Sequence, residues 1–275
     1  PATTDSMGAT FIADHYNVYR GTTVSFVPDV AGHSNLLGTT TGQSFTDTGA
    51  LNAAPNYFYR VYAVSASNRE SWAAAALAMK SALSLTYAAG TENAYWIAIP
   101  YLSGFVDAQS LVNDLNRGPI PGPVRRITRF NATTQLSQSL NYEFGAWVGD
   151  NFPIIAGEAY AITLQTNLAQ SLVGAHNPAL GFNFQSRGTT SNIYWLGLPY
   201  SADYADAQTL LDHLNGGTIP AKVAKIVRFD PATGAPQSYL YFADGWRGQN
   251  FGIVPGQGYG IVVNNNVNGW RPRAR

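Results

Sequence analysis

Hydrolysis of a glycosidic bond needs two carboxylates about 5–10 Å apart, one to protonate the leaving oxygen and one to attack or to activate water. In this chain Asp107 and Asp206 are the acids that recur at matching places, and each stands just before a helix-like run, AQSLVNDL or AQTLLDHL. A carboxylate there caps the helix or answers its dipole, so both are expected to be structural. Glu143, Asp150 and Glu158 are matched by Phe242, Gln249 and Gln257, so chemistry resting on them could not be duplicated. His15, His33, His176 and His213 lack the close spacing of a helical metal motif and are expected on the surface or in loops. Asp203, Asp206 and Asp212 do not make a calcium loop, and no Gly-x-Ser-x-Gly elbow or phosphate-binding glycine loop occurs. With no cysteine, thiolate nucleophiles and zinc–thiolate sites are excluded. No catalytic residue, cofactor or metal ligand is expected.

Arg129 and Arg228 precede a shared phenylalanine on a strand and are expected to pair with carboxylates or carbonyls within their own module. Trp147 and Trp246 lead into the Gly-rich segments that carry Asn151-Phe152 and Asn250-Phe251. Aromatic rings beside amide side chains suit a sugar-binding surface, because the ring stacks on the apolar sugar face. Trp147, Phe152, Trp246 and Phe251, with Tyr95 and Tyr194, are therefore the candidate ligand or interface residues. The competing reading packs each loop aromatic back onto its own module.

The matching places belong to one segment present twice without gaps. YWIAIPYLSGFVDAQSLVNDLNRGPIP starts at Tyr95, and YWLGLPYSADYADAQTLLDHLNGGTIP starts at Tyr194. The offset of 99 residues between Trp96 and Trp195 still holds between Tyr160 and Tyr259. Roughly four positions in ten are identical, far above chance for an ungapped alignment. Each copy reads as a short strand (Leu83 to Tyr87, or Phe182 to Gln185), an apolar strand at the tryptophan, a helix and a further run of strands. Leu111 and Leu115, like Leu210 and Leu214, share a helical face, while Gly118 and Gly217 are expected to stop the helix.

Only 12% of the 275 residues are charged, the formal net charge is zero, and Tyr, Phe, Gly, Asn, Ser and Thr are abundant. That mixture suits short β-strands joined by turns and offers no general attraction to nucleic acid. The apolar stretch from Trp72 to Ala89 is interrupted by Lys80, Ser81, Ser84 and Thr86, so no direct membrane insertion is expected. The start of the chain does not read as a signal peptide, and the chain is expected to be a mature, soluble product.

Residues 15 to 70 carry a separate pattern: Tyr16 to Arg20 reads YNVYR, Ser44 to Thr48 reads SFTDT, and Tyr57 to Val64 reads YFYRVYAV. This resembles the second half of a fibronectin type III domain, from its third strand onward. The resemblance implies a sandwich of which only about fifteen residues remain to supply the first two strands. Three explanations stay open. ATFIAD supplies one strand of a reduced sandwich, the chain is cut from a longer precursor, or a strand from another chain completes the sheet. An uncovered strand edge favours a partner, so Tyr16, Val18, Tyr59 and Val61 are the candidate partner-strand edge.

The expected fold is mostly β: an incomplete fibronectin-like sandwich over 1–80, then β-sandwich-like repeats over 81–178 and 179–275, each with one short helix. The expected role is a non-enzymatic structural or assembly protein, extracellular or on a bacterial cell surface, such as the globular subunit of a pilus-like filament. Its partner would be another polypeptide or a neighbouring copy at the N-terminal domain. The alternative is a carbohydrate-binding or adhesive protein with glycans as ligands.

Overall fold

The computed structural model describes residues 11–23, 26–71, 77–89, 94–117, 121–176, 180–188, 191–217, 222–230, 233–242 and 244–273. The expected helix stop at Gly118 and the start of ATFIAD lie outside that set. The protein is mostly β, with antiparallel sheets consistent with the β-sandwich class.

Copy one runs through β4 (Leu77–Leu85), β5 (Ala94–Ala98), α1 (Ala108–Leu115), β6 (Val124–Asn131), β7 (Leu136–Glu143), β8 (Ala146–Gly149), β9 (Ala159–Leu164) and β10 (Leu168–His176). Copy two repeats the order as β11 (Phe182–Phe184), β12 (Asn192–Gly197), α2 (Ala207–Asn215), β13 (Val223–Phe229), β14 (Pro236–Phe242), β15 (Gly245–Gly248), β16 (Gly258–Val263) and β17 (Val267–Trp270). The main sheets have matching orders, β5-β9-β6-β7-β8 and β12-β16-β13-β14-β15, and a ribbon pairs β4 with β10 or β11 with β17. Alternation along β9 sends Tyr160, Ile162 and Leu164 into one core with Leu111, Val112 and Leu115 of α1 and Leu168 and Leu172 of the ribbon. Helix and ribbon thus cover one face of the sheet. Each helix end is docked by an asparagine: Asn116 bonds both the N–H (2.8 Å) and the carbonyl (2.9 Å) of Val124, and Asn215 does the same at Val223. The helix of copy two is capped by Gly216 in the left-handed region, one residue earlier than the expected Gly217.

The copies meet through contacts that exchange under the 99-residue offset. Ala98 N–H donates to the Gly256 carbonyl and Gly197 N–H to the Gly157 carbonyl, both at 2.8 Å. Tyr101 and Tyr200 hydroxyls donate to the carbonyls of Gly197 (3.1 Å) and Ala98 (3.4 Å). Trp96 and Trp195 touch each other at 4.6 Å between ring centroids, and Gly258 lies against Ala159. Equivalent residues facing each other mark an approximate two-fold axis, the self-complementary arrangement of a symmetric dimer built within one chain.

Ahead of the repeats lie β1 (His15–Gly21), β2 (Leu36–Thr40) and β3 (Tyr57–Val64), giving a sheet in the order β10-β4-β3-β1-β2. The expected boundary at 80/81 therefore falls inside a strand. β4 pairs with β3 through Ala78–Lys80 and with β10 along its whole length, so the first module and copy one share a sheet. One face of this sheet buries Tyr19, Phe58 and Met79, and Phe58 and Met79 cluster with Tyr200 of copy two. Among the described residues no helix is long and apolar enough to cross a membrane.

Candidate functional site

The duplicated aspartates start the helices. Asp107 accepts from Ser110 N–H at 2.8 Å while the Ser110 hydroxyl accepts from Asp107 N–H at 3.1 Å, a capping box. Asp206 and Thr209 do the same in copy two. The second carboxylate oxygen takes a bond from Asn151 or Asn250 at 3.0 Å, and those asparagines accept from Gln109 and Gln208 N–H. Both carboxyls are held below the usual range, first by the backbone N–H and then by these side-chain donors.

Arg129 is buried and forks onto Glu158 at 2.5 and 2.8 Å. Where copy two has Gln257, Arg228 instead donates to Gln237 (2.7 Å), the Gly252 carbonyl (2.9 Å) and Gln257 (3.3 Å), and lies over the Phe251 ring. His213 is not the surface or loop histidine expected. It is half-buried between Tyr204 and Trp270, and its Nδ1 accepts from the Trp270 indole at 3.2 Å and lies 2.6 Å from the Tyr204 hydroxyl. Among the described residues no cluster of His, Asp and Glu could hold a metal ion.

The candidate aromatics separate by burial. Phe152 and Phe251 leave the ligand surface: both are core residues, stacked on Tyr160 and Tyr259 with ring planes 2° and 6° apart. Their loops are pinned to the helix starts by Asn151 and Asn250, which turns the next side chain inward. Tyr95 and Tyr194 pack on the two cores with their hydroxyls tied to the Thr86 and Gln185 carbonyls, so they form no flat platform. Trp246 is boxed by Tyr239 (5.4 Å, stacked) and Tyr241 (5.3 Å, edge-on). In copy one the place of Tyr239 is taken by buried Leu140, and Trp147 packs on the core with an edge contact to Tyr142 at 5.4 Å but no stacked ring. Trp147 and Tyr142 border an open cleft of about 380 Å³ that is also lined by Asn113 and Arg117. The neighbouring hairpin tip carries Phe144, fully exposed and at φ 51°.

In the N-terminal sheet, Tyr16, Val18 and Val61 gather on one face, with Val18 opposite Val61 in register. With Phe45 and Thr40 they line an open groove of about 390 Å³. They are not a sheet edge. β1 is paired on both sides, by β2 and β3, and among the described residues the outermost strand on that side of the sheet is β2. Nor has Val18 lost its cover: it is 5% exposed, against 38% for Val61, because the Phe45 ring lies over adjacent Gly38. Tyr59 stands apart, donating to Asp47 at 2.8 Å beside the Arg20–Asp47 ion pair, and burial then this bond push its hydroxyl pKa up. No protein-family model matches the chain, and neither the curated proteins nor the solved structures contain a significant match to it.

Proposed function

We propose that the chain is a non-enzymatic assembly protein of a bacterial cell surface, the globular part of a filament or similar array, whose N-terminal sheet receives a segment of another polypeptide. The observation that carries this reading is the groove of Tyr16, Val18, Phe45 and Val61 beside the edge of β2 that no other strand pairs with among the described residues. An extended segment could pair along Leu36–Thr40 and turn alternate apolar side chains into the groove, the usual mode of strand addition. The sheet order β2-β1-β3-β4 supports the fibronectin-type resemblance, and such a half-sandwich has one face to cover. The duplicated acids support a non-enzymatic role, since both are engaged in capping helices.

The test is hydrogen exchange on the isolated chain and on surface filaments purified from the producing cell. Weak protection of Leu36–Thr40 in the free chain and strong protection in the filament is the expected result. Val61→Asp should fold normally yet fail to enter filaments. Equal protection in both states, or normal incorporation of Val61→Asp, would remove the proposal.

A second reading, glycan binding, is favoured by the cleft in which Trp147 and Tyr142 meet Asn113 and Arg117. It expects Trp147→Ala to lose glycan-array signal while Trp246→Ala, whose ring is boxed in, keeps it. An array with no bound glycan for the parent protein eliminates this reading.

A further inference from the structure

The approximate two-fold axis allows every cavity in one half to be compared with its counterpart in the other. In copy two the Phe182 ring lies directly over the Gly157 backbone and against Tyr101 at 5.9 Å, and it stacks with Phe184 at 6.0 Å. A side chain on Gly157, already at φ 85°, would collide with that ring. Shifting each residue by 99 positions converts Phe182, Gly157, Tyr101 and Phe184 into Leu83, Gly256, Tyr200 and Leu85. Those four all line one crevice of about 190 Å³ at the junction of the two copies. The Tyr200 ring lies over Gly256, its hydroxyl and nearest ring carbons 2.8–3.0 Å from where a Cβ would stand, and the crevice runs on beside it between Trp96, Phe229, Ser81, Ser84 and Gln257. The crevice thus adjoins the place that the Phe182 ring occupies in the other half, where the shorter Leu83 leaves room beside Tyr200.

None of its lining side chains is charged, so a charged ligand would find no partner there. An enclosed apolar cavity of about 150 Å³ is enough to bind benzene; this crevice is open and adds Ser81, Ser84 and Gln257 to its aromatic and aliphatic walls. We propose that this crevice is a binding site for one neutral, unfused aromatic ring carried by a small molecule. Phe182 is its internal counterpart.

Fluorobenzene is the probe, followed by its fluorine NMR signal on titration with the whole chain. Saturable binding of one equivalent is expected for the parent protein. Leu83→Phe should place a ring where the ligand would sit, keeping the fold by circular dichroism and abolishing saturable binding. Phe182→Leu should open the counterpart and raise the capacity to two equivalents. Absence of saturable binding to the parent, or unchanged binding by folded Leu83→Phe, overturns the proposal. If Phe182→Leu fails to fold, the comparison of parent and Leu83→Phe decides alone.

Discussion

Gly258→Ala tests whether the two copies are packed as tightly at their axis as the geometry implies. The added methyl would lie 2.5 Å from the Ala159 Cβ, 3.2 Å from the Trp96 Cβ and 3.3 Å from the Ile97 carbonyl oxygen. Carbon atoms in good contact sit about 3.5–4.0 Å apart, so the backbones must part by roughly 1 Å. None of the three obstacles is the far end of a flexible side chain, and Gly258 is not in the left-handed region, so the cost is steric. Overpacking of this kind costs about 1–3 kcal/mol, offset by about 0.4–1 kcal/mol from the lower entropy of the unfolded alanine chain. A net loss of about 1–2 kcal/mol corresponds to a fall in Tm of about 2–4 °C for a chain of this size. Urea and thermal denaturation measure it. Ala159→Gly removes the opposing methyl, so the double variant should return to within about 0.5 kcal/mol of the Ala159→Gly protein. An undiminished Tm for Gly258→Ala, or no recovery in the double variant, would refute the close approach at the axis.

Asp107→Ala and Asp206→Ala should each cost about 0.5–2 kcal/mol at neutral pH by loss of the cap. Because the folded carboxyls titrate below their unfolded value of about 3.9, that stabilisation is complete above it and is lost as pH falls through the lowered folded values. Denaturation at pH 7 and at strongly acid pH should therefore show the variants converging on the parent. His213 is depressed below its ordinary value, first by burial and then by the charge of Arg273. The unfolded chain takes up that proton first as pH falls below about 6.5, so stability should drop there until the folded imidazole also titrates. His213→Gln should flatten this part of the pH–stability curve, and an unchanged slope would mean that the imidazole titrates alike in the folded and unfolded chain.

Local chemistry was the legible part of the fold. Asp107 and Asp206 sit within three residues of the groups they cap, and the two helical leucines lie one turn apart, so neighbouring letters were enough. The duplicated sheet order followed from the ungapped repeat. Phe152 and Phe251 were misplaced because an aromatic in a Gly-rich loop reads the same whether it turns outward or inward. What turns them in is the asparagine bond to a helix start 44 residues away and the tyrosine of a later strand. The expected partner edge took Tyr16 and Val18 of β1 with Tyr59 and Val61 of β3, on the ground of missing strands, yet LLGTT becomes β2 and covers β1. Asn116 and Asn215, identical in both copies at a helix end and eight residues before a valine, carried a readable signal that went unused. The internal two-fold axis leaves no mark in any spacing, since its bonds join Ala98 to Gly256 and Gly157 to Gly197.

The ribbon of copy one also fixes how tension would travel along the chain. Leu77, where the chain enters β4, lies opposite His176, where it leaves β10, and Ala78 lies opposite Ala175. Entrance and exit are thus neighbours on one ladder, about 5 Å apart rather than a module's width. A pull between the N-terminal sheet and copy two crosses those first rungs and bypasses the core around Leu111 and Tyr160. Such a pull also loads the β3–β4 pairing and the Phe58–Met79–Tyr200 contact that ties the first sheet to copy two. Copy one therefore adds bulk and surface to whatever the chain joins while adding almost nothing to its reach.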